Sequence, residues 1–180
     1  MRQIVLLRGI NLGSRNRVAM PRLREILGDA GFGDVETYVQ SGNVVLESEL
    51  KPDKLAARCK RLIAAELGLD IDIVVRTRGE LAEVVARDPL GNVADNPKRY
   101  QVSFLAKELP AETVEKLSAL AAGPERLVAI GRELYGWHPD GVGRSKLWAA
   151  LASPRLGVTA TARNWSTVTK LLAMADRGSG

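Results

Sequence analysis

Residues 3–8 form a mostly apolar run with little alternation, Gln3-Ile4-Val5-Leu6-Leu7-Arg8. Such a run predicts a strand buried on both faces and therefore central in its sheet. A loop over residues 9–19 follows. Pro21 suits the first turn of a helix; Leu23, Ile26, Leu27 and Ala30 give that helix an apolar stripe, and Gly31 ends it. Two β-rich runs, residues 35–39 and 43–47, flank Gln40-Ser41-Gly42, a triplet suited to a three-residue hairpin loop with glycine in the left-handed position. Residues 52–67 predict a helix that stops at Gly68. Residues 71–77 predict a strand and residues 80–86 a short helix.

Residues 88–98 hold two prolines and a glycine among Asp and Asn residues, which marks a boundary. The expected division is an N-terminal repeat over residues 1–88 and a C-terminal repeat over residues 89–180. The second part repeats the order of elements: a strand over 100–106, a helix over 110–121, a hairpin of 126–130 and 133–137 around Gly131-Arg132, a helix over 145–151, a short strand over 158–161 and a helix over 165–175. Each half reads strand–helix–strand–strand–helix–strand, plus one extra helix, which is the split βαβ plan. The expected fold class is α+β, with two ferredoxin-like (βαββαβ) repeats. A unit of half this length buries too little surface to be comfortable alone, so the repeats are expected to pack together.

Composition adds constraints. With 46% hydrophobic and 26% charged residues, the chain is not of a disordered class. No apolar stretch approaches the ~18 residues of a membrane span, and the run at residues 4–7 is too short for a signal-peptide core. No membrane partner is expected, and the expected location is cytoplasmic. Cys59, the single cysteine, shares helical spacing with Leu55, Leu62 and Ile63, so it reads as a buried thiol. One histidine and one cysteine exclude a His/Cys zinc site. No motif calls for a metal or cofactor, and nothing in the sequence sets an oligomeric state.

The net charge of +5 is unevenly spread. Residues 1–25 hold six Arg and one Glu, and residues 141–180 hold four Arg, two Lys and one Asp, while the middle is acidic. Basic ends attract phosphate or nucleic acid; a solvated Arg-rich surface is the plainer alternative.

The split βαβ plan brings the loop after the first strand and the turn before the third to one end of a sheet. That end would collect Arg8, Asn11, Arg15, Asn16, Arg17, Gln40, Ser41 and Asn43, a set rich in N–H donors. Gly9 and Gly13 would let the loop backbone approach a ligand. Met20, just before Pro21, is a poor N-cap, so the first helix would start with unmet N–H groups that an anion could satisfy. Equally, Asn11, Asn16 and Ser41 could serve their own turns. A second cluster joins the loop 138–146, with Arg144, Ser145 and Lys146, to the loop 161–165, with Arg163 and Asn164. The spacing is not that of a P-loop. Asn164 also suits the N-cap of the last helix. Ser145, the lone His138 and Asp140 allow a Ser–His–Asp set to be drawn, without evidence of its geometry.

Four blocks carry a resemblance. They are Leu7-Arg8-Gly9-Ile10-Asn11 with Asn16-Arg17-Val18, Met20 and Leu23-Arg24; residues 38–44, YVQSGNV; residues 140–147, DGVGRSKL; and residues 161–168, TARNWSTV. In this order the chain resembles the bacterial domain of unknown function 1697 family across nearly its whole length. Ala19 stands where family members often carry proline. The resemblance implies a pair of ferredoxin-like repeats and no particular activity. Its signature residues are largely Arg, Asn, Gln, Ser and Gly on loops, which hint at function more than packing.

The functional expectation is binding of an anionic ligand, a phosphate-bearing small molecule or nucleic acid, through these Arg/Asn-rich loops. One alternative is a hydrolase acting on a phosphoryl or acyl-phosphate group, by fold-level analogy with acylphosphatases, whose signature is missing. The other is a non-catalytic protein-interaction module. An aromatic content of 4% weakens general nucleic-acid binding, since single-strand binders stack bases on aromatic platforms.

Overall fold

A computed structural model describes residues 1–178. The chain divides into two compact units, Met1–Ala82 together with the residues from Lys170 on, and Glu83–Thr169.

The first unit holds β1 (Arg2–Leu7), α1 (Met20–Asp29), β2 (Gly33–Tyr38), β3 (Asn43–Glu47), α2 (Pro52–Leu67) and β4 (Ile73–Thr77). Its sheet runs β2-β3-β1-β4 with every pair antiparallel. β1 is buried along its whole length: its apolar run Ile4–Leu7 requires a central place, and Arg2 and Gln3 are buried with it. The register sets Leu6 against Asn43 and Leu7 against Ile73, so the exit of β1 and the starts of β3 and β4 share one end. Val5, Leu7, Val44, Leu46 and Val75 meet Leu23 and Leu27 of α1 and Leu55, Cys59 and Ile63 of α2 in one core. Gly68 ends α2 at φ 65, a left-handed turn that glycine adopts freely.

The hairpin between β2 and β3 differs from expectation. Its loop has four residues, because Val39 leaves the strand at φ 50 before Gly42 turns at φ 87. The N-cap of α1 is Ala19 rather than Met20; it too makes no side-chain cap, so the helix start is uncapped as expected.

α3 (Arg78–Arg87) begins with Thr77 and Glu80 exchanging bonds, Glu80 N–H to Thr77 Oγ1 at 3.1 Å and Thr77 N–H to Glu80 Oε2 at 2.8 Å. This capping box starts the helix two residues ahead of the apolar pattern. The division between units falls inside α3, while the turn-rich segment around residue 88 separates the two sheets.

The second unit holds β5 (Tyr100–Leu105), α4 (Ala111–Ser118), β6 (Arg126–Ile130), β7 (Glu133–Trp137), α5 (Lys146–Leu151) and β8 (Ala160–Asn164). Its sheet order, β6-β7-β5-β8, repeats that of the first. Leu105, Leu117, Leu134, Leu147, Leu151 and Leu156 form its core. α6 (Trp165–Arg177) follows, its first turns in the second unit and the rest in the first. Both units are therefore βαββαβ arrangements of an α+β protein.

Two local expectations are corrected. The helix expected from 110 to 121 spans only Ala111–Ser118, and beyond it Ala122 N–H donates to Glu125 Oε1 at 3.1 Å in a local turn. The strand expected over 158–161 runs instead over Ala160–Asn164, so residues 162–164, expected as loop, are strand. β8 pairs with β5 from Gln101↔Asn164 to Leu105↔Ala160, and Thr161 and Arg163 are both buried. Polar side chains there mask a strand whose buried positions alternate.

Candidate functional site

At the end of the first sheet, residues 11–16 form a miniature hairpin. Asn11 N–H donates to Asn16 O at 3.0 Å, and Arg15 N–H to Leu12 O at 3.3 Å. Asn11 and Asn16 hold φ 54 and 48, a region asparagine tolerates better than most residues. Asn11 ties the loop to its surroundings: Nδ2 donates to Val18 O at 2.9 Å and to Gln40 O at 2.7 Å, while Oδ1 accepts from Val18 N–H at 2.8 Å. Asn16 Nδ2 donates to Gly9 O at 3.1 Å. The loop after β1 and the turn before β3 thus lie together.

The turn is fixed as firmly. Buried Asn43 donates to Tyr38 O at 3.0 Å and to Ser41 Oγ at 2.9 Å. Leu7 N–H donates to Gly42 O, and a Cβ at Gly42 would lie 2.7 Å from Leu7 Cβ and 2.9 Å from Ile10 Cδ1. Only glycine fits there, on both conformation and space.

Asn11, Asn16 and Asn43 therefore commit their amides to the fold, the plainer of the two readings their sequence allows. Arg8 is half-buried, with its N–H on Asp72 O. Gln40 and Ser41 are exposed. What the loop turns outward is charge: Arg15 and Arg17 are exposed, and their guanidinium groups make no hydrogen bond or ion pair among the described residues. Gly9 and Gly13, at φ 66 and 61, have open space beside them.

In the second unit the start of β5 and the ends of β7 and β8 share an end. Arg144 and Lys146 are exposed there. Ser145 is the N-cap of α5, accepting from Trp148 N–H at 3.0 Å, and Asn164 Oδ1 accepts from Thr167 N–H at 2.9 Å. Arg163 is buried and donates inward, to Thr161 Oγ1 at 2.7 Å and Ala162 O at 2.8 Å. Burial lowers its pKa to about 10.

Beside this end lies a buried polar cluster. His138 has no exposed surface; its Nδ1 is 2.6 Å from Glu125 Oε2, which also accepts from Ser145 Oγ at 2.6 Å. Burial alone would raise the Glu125 carboxyl, but bonds from Ser145, His138 and the Ala122 N–H outweigh it and hold the pKa below its ordinary value. His138 Nε2 is buried without a partner among the described residues, packed where a Cβ at Gly136 would come within 2.8 Å.

This is not a nucleophilic triad. Asp140 is exposed, and the acid that reaches His138 is Glu125. The serine and the carboxylate face the same ring nitrogen, whereas a catalytic base uses the nitrogen opposite its carboxylate. Glu125 escapes a reading of the sequence because no motif surrounds it. The one signal is that a lone histidine on a buried strand end needs a partner.

Cys59 is fully buried, and desolvation pushes its thiol up to about 12. Among the described residues, no group of His, Cys, Asp and Glu could hold a metal ion, and no helix is long and apolar enough to cross a membrane.

The profile of a family described as a protein of unknown function, DUF1697, matches residues 1–135. No curated protein matches. Among solved structures, the chain is similar to the conserved bacterial protein SP0830 from Streptococcus pneumoniae, with TM-score 0.77 and 22% identity over 97% of this chain and 98% of that one. At that identity the likeness shows the fold alone.

Proposed function

The chain belongs to the DUF1697 family of proteins of unknown function, and on that premise we propose that it binds a phosphate-bearing anionic ligand through the loop that follows β1. The observation that carries this reading is the pairing of a rigid loop with unneutralised charge. Hydrogen bonds from Asn11 and Asn16 fix residues 11–16, and Arg15 and Arg17 project from that frame with no acid against them among the described residues. A loop already ordered loses little entropy on binding. Arginine forks match phosphate oxygens. The uncapped start of α1, next along the chain, adds favourable partial charge. The cytoplasm is the site of action in this reading.

Melting curves with inorganic pyrophosphate as probe test the proposal. A ligand at a hundredfold excess over Kd stabilises by about 2.7 kcal/mol, a shift of several degrees for a protein of this size. The shift should shrink with added salt. Arg15→Ala/Arg17→Ala should abolish it while leaving the unliganded midpoint nearly unchanged. A shift that survives the double substitution would remove the loop from consideration.

A further inference from the structure

We propose that the free edge of β6 is a docking site for an extended segment of a partner protein. The segment adds to the four-stranded second sheet as one more strand and sets an apolar side chain, flanked by basic ones, against the cavity beside α4.

The edge is open in its backbone. The order β6-β7-β5-β8 leaves β6 with a single neighbour. Leu105 N–H donates to Arg132 O at 2.9 Å, so Arg132, Leu134 and Gly136 turn their backbone groups toward β5, and Glu133, Tyr135 and Trp137 turn theirs toward β6. The partners of the latter three are Ile130, Val128 and Arg126. The N–H and C=O groups of Leu127 and Ala129 therefore point away from the sheet, and Ala129 is exposed.

Native sheets blunt such edges with bulges, charge or cover. The other edge strands follow that rule. β2 is bulged between Gly33 and Glu36, with Asp34 at φ 41, and β4 and β8 are mostly buried. β6, with the sequence RLVAI, pairs in unbroken register and holds no proline and a single charge. It is a template for a further strand.

The helix-facing side of β6 says what that strand carries. A cavity of about 350 Å³ lies between β6 and α4, lined by Leu109, Val114, Ala129 and Leu134 and by Glu108 and Glu115. Its apolar wall suits an aliphatic side chain. Glu108 and Glu115 are exposed, and their carboxylates make no hydrogen bond or ion pair among the described residues. Of the neighbouring charges, Glu112 and Lys116 pair at 3.2 Å, Lys107 does not line the cavity, and Arg126 stands with Val128 and Ile130 on the opposite face of β6. Alternate residues of a strand share a face, so the fitting segment reads basic–x–apolar–x–basic. The same carboxylates disfavour a second copy of this chain. A two-fold axis through β6 would set α4 beside its own image and bring unpaired acids together. Arg15 and Arg17 belong to the other unit, so the proposal stands independently of the anion-binding reading.

The test is peptide display from a randomised library against the full chain, followed by fluorescence polarisation of the enriched peptides. The pattern basic–x–apolar–x–basic should emerge. N-methylation of alternate peptide amides should abolish binding for one set and spare it for the other, a signature of strand pairing. Ala129→Pro removes an N–H that β7 does not use, a position where an edge strand tolerates proline. It should weaken binding at least about tenfold, through the loss of a main-chain bond and the clash of its ring. Glu108→Lys/Glu115→Lys, at exposed and unpaired positions, should switch the enriched flanks from basic to acidic. Arg15→Ala/Arg17→Ala should leave peptide affinity unchanged. Enrichment without pattern, at helical spacing or with acidic flanks would overturn the proposal, as would equal effects of methylation on both sets of amides. A dimer in sedimentation that Ala129→Pro dissolves would assign the edge to a second copy and overturn the partner segment.

Discussion

In the second unit the Glu125 carboxyl is held below its ordinary pKa by the groups that bond it. Glu125 is nearly buried, and three hydrogen-bond donors favour its charged form. A carboxyl with a lowered folded pKa adds stability above its unfolded pKa, near 4.3. That stability is lost as pH falls through the folded value. Stability measured by urea unfolding should therefore decline below about pH 4.5, and Glu125→Gln should flatten that decline. At neutral pH the same substitution should cost about 1–3 kcal/mol, since it weakens three charge-assisted bonds in a buried cluster. An acid limb unchanged in Glu125→Gln would assign the decline to other carboxylates. Arg163 teaches a related lesson. In the sequence it stands between small and polar residues and reads as an exposed ligand contact, yet β8 turns it inward, and its charge is held by Thr161 and Ala162. Charge in a sequence does not declare which face of a strand it occupies.

At the scale of elements, the hairpin between β2 and β3 holds an unusual residue. Val39 is β-branched and stands at φ 50 with half its surface exposed. The left-handed region costs such a residue about 1–2 kcal/mol, and little packing offsets that here. Val39→Asn should raise the urea midpoint by an amount equivalent to about 1 kcal/mol, because asparagine adopts this conformation more readily. A lowered midpoint would mean that the valine side chain makes up its strain through packing. The turn also shows how far element boundaries are legible. Gly42 announces a left-handed residue correctly, but nothing in a valine announces positive φ, so the sequence makes the loop look one residue shorter than it is. The start of α3 is hidden for another reason: the Thr77–Glu80 capping box lies outside the apolar stripe that reveals the helix. Where periodicity and punctuation agree, as at Pro52 and Gly68, α2 matches its expected bounds.

At the scale of the molecule, the repeated plan is legible because the order of periodicities is repeated: each unit alternates strand and helix signals in the same sequence, and the two sheets share one strand order. The candidate site is legible only in part. Topology brings the right loops together, as the Asn11 to Gln40 bond shows. Which side chains face outward is not legible, since Asn, Ser and Arg can serve a turn or a ligand equally well.

The buried thiol of Cys59 turns the first unit into its own clock. It is the chain's single cysteine, enclosed between Leu55 and Ile63 on the core side of α2. A thiol reagent can modify it only while that helix is lifted from the sheet. The modification rate therefore measures how often the unit opens, without label, tag or purification beyond the chain itself. Native protein should react orders of magnitude more slowly than denatured protein, and the rate should climb with urea as steeply as global unfolding does. Fast, urea-insensitive modification would reveal a local gap beside α2 and would stop the clock from reporting the whole unit. With that readout, the lifetime of the fold could be followed in purified protein as salt and temperature change.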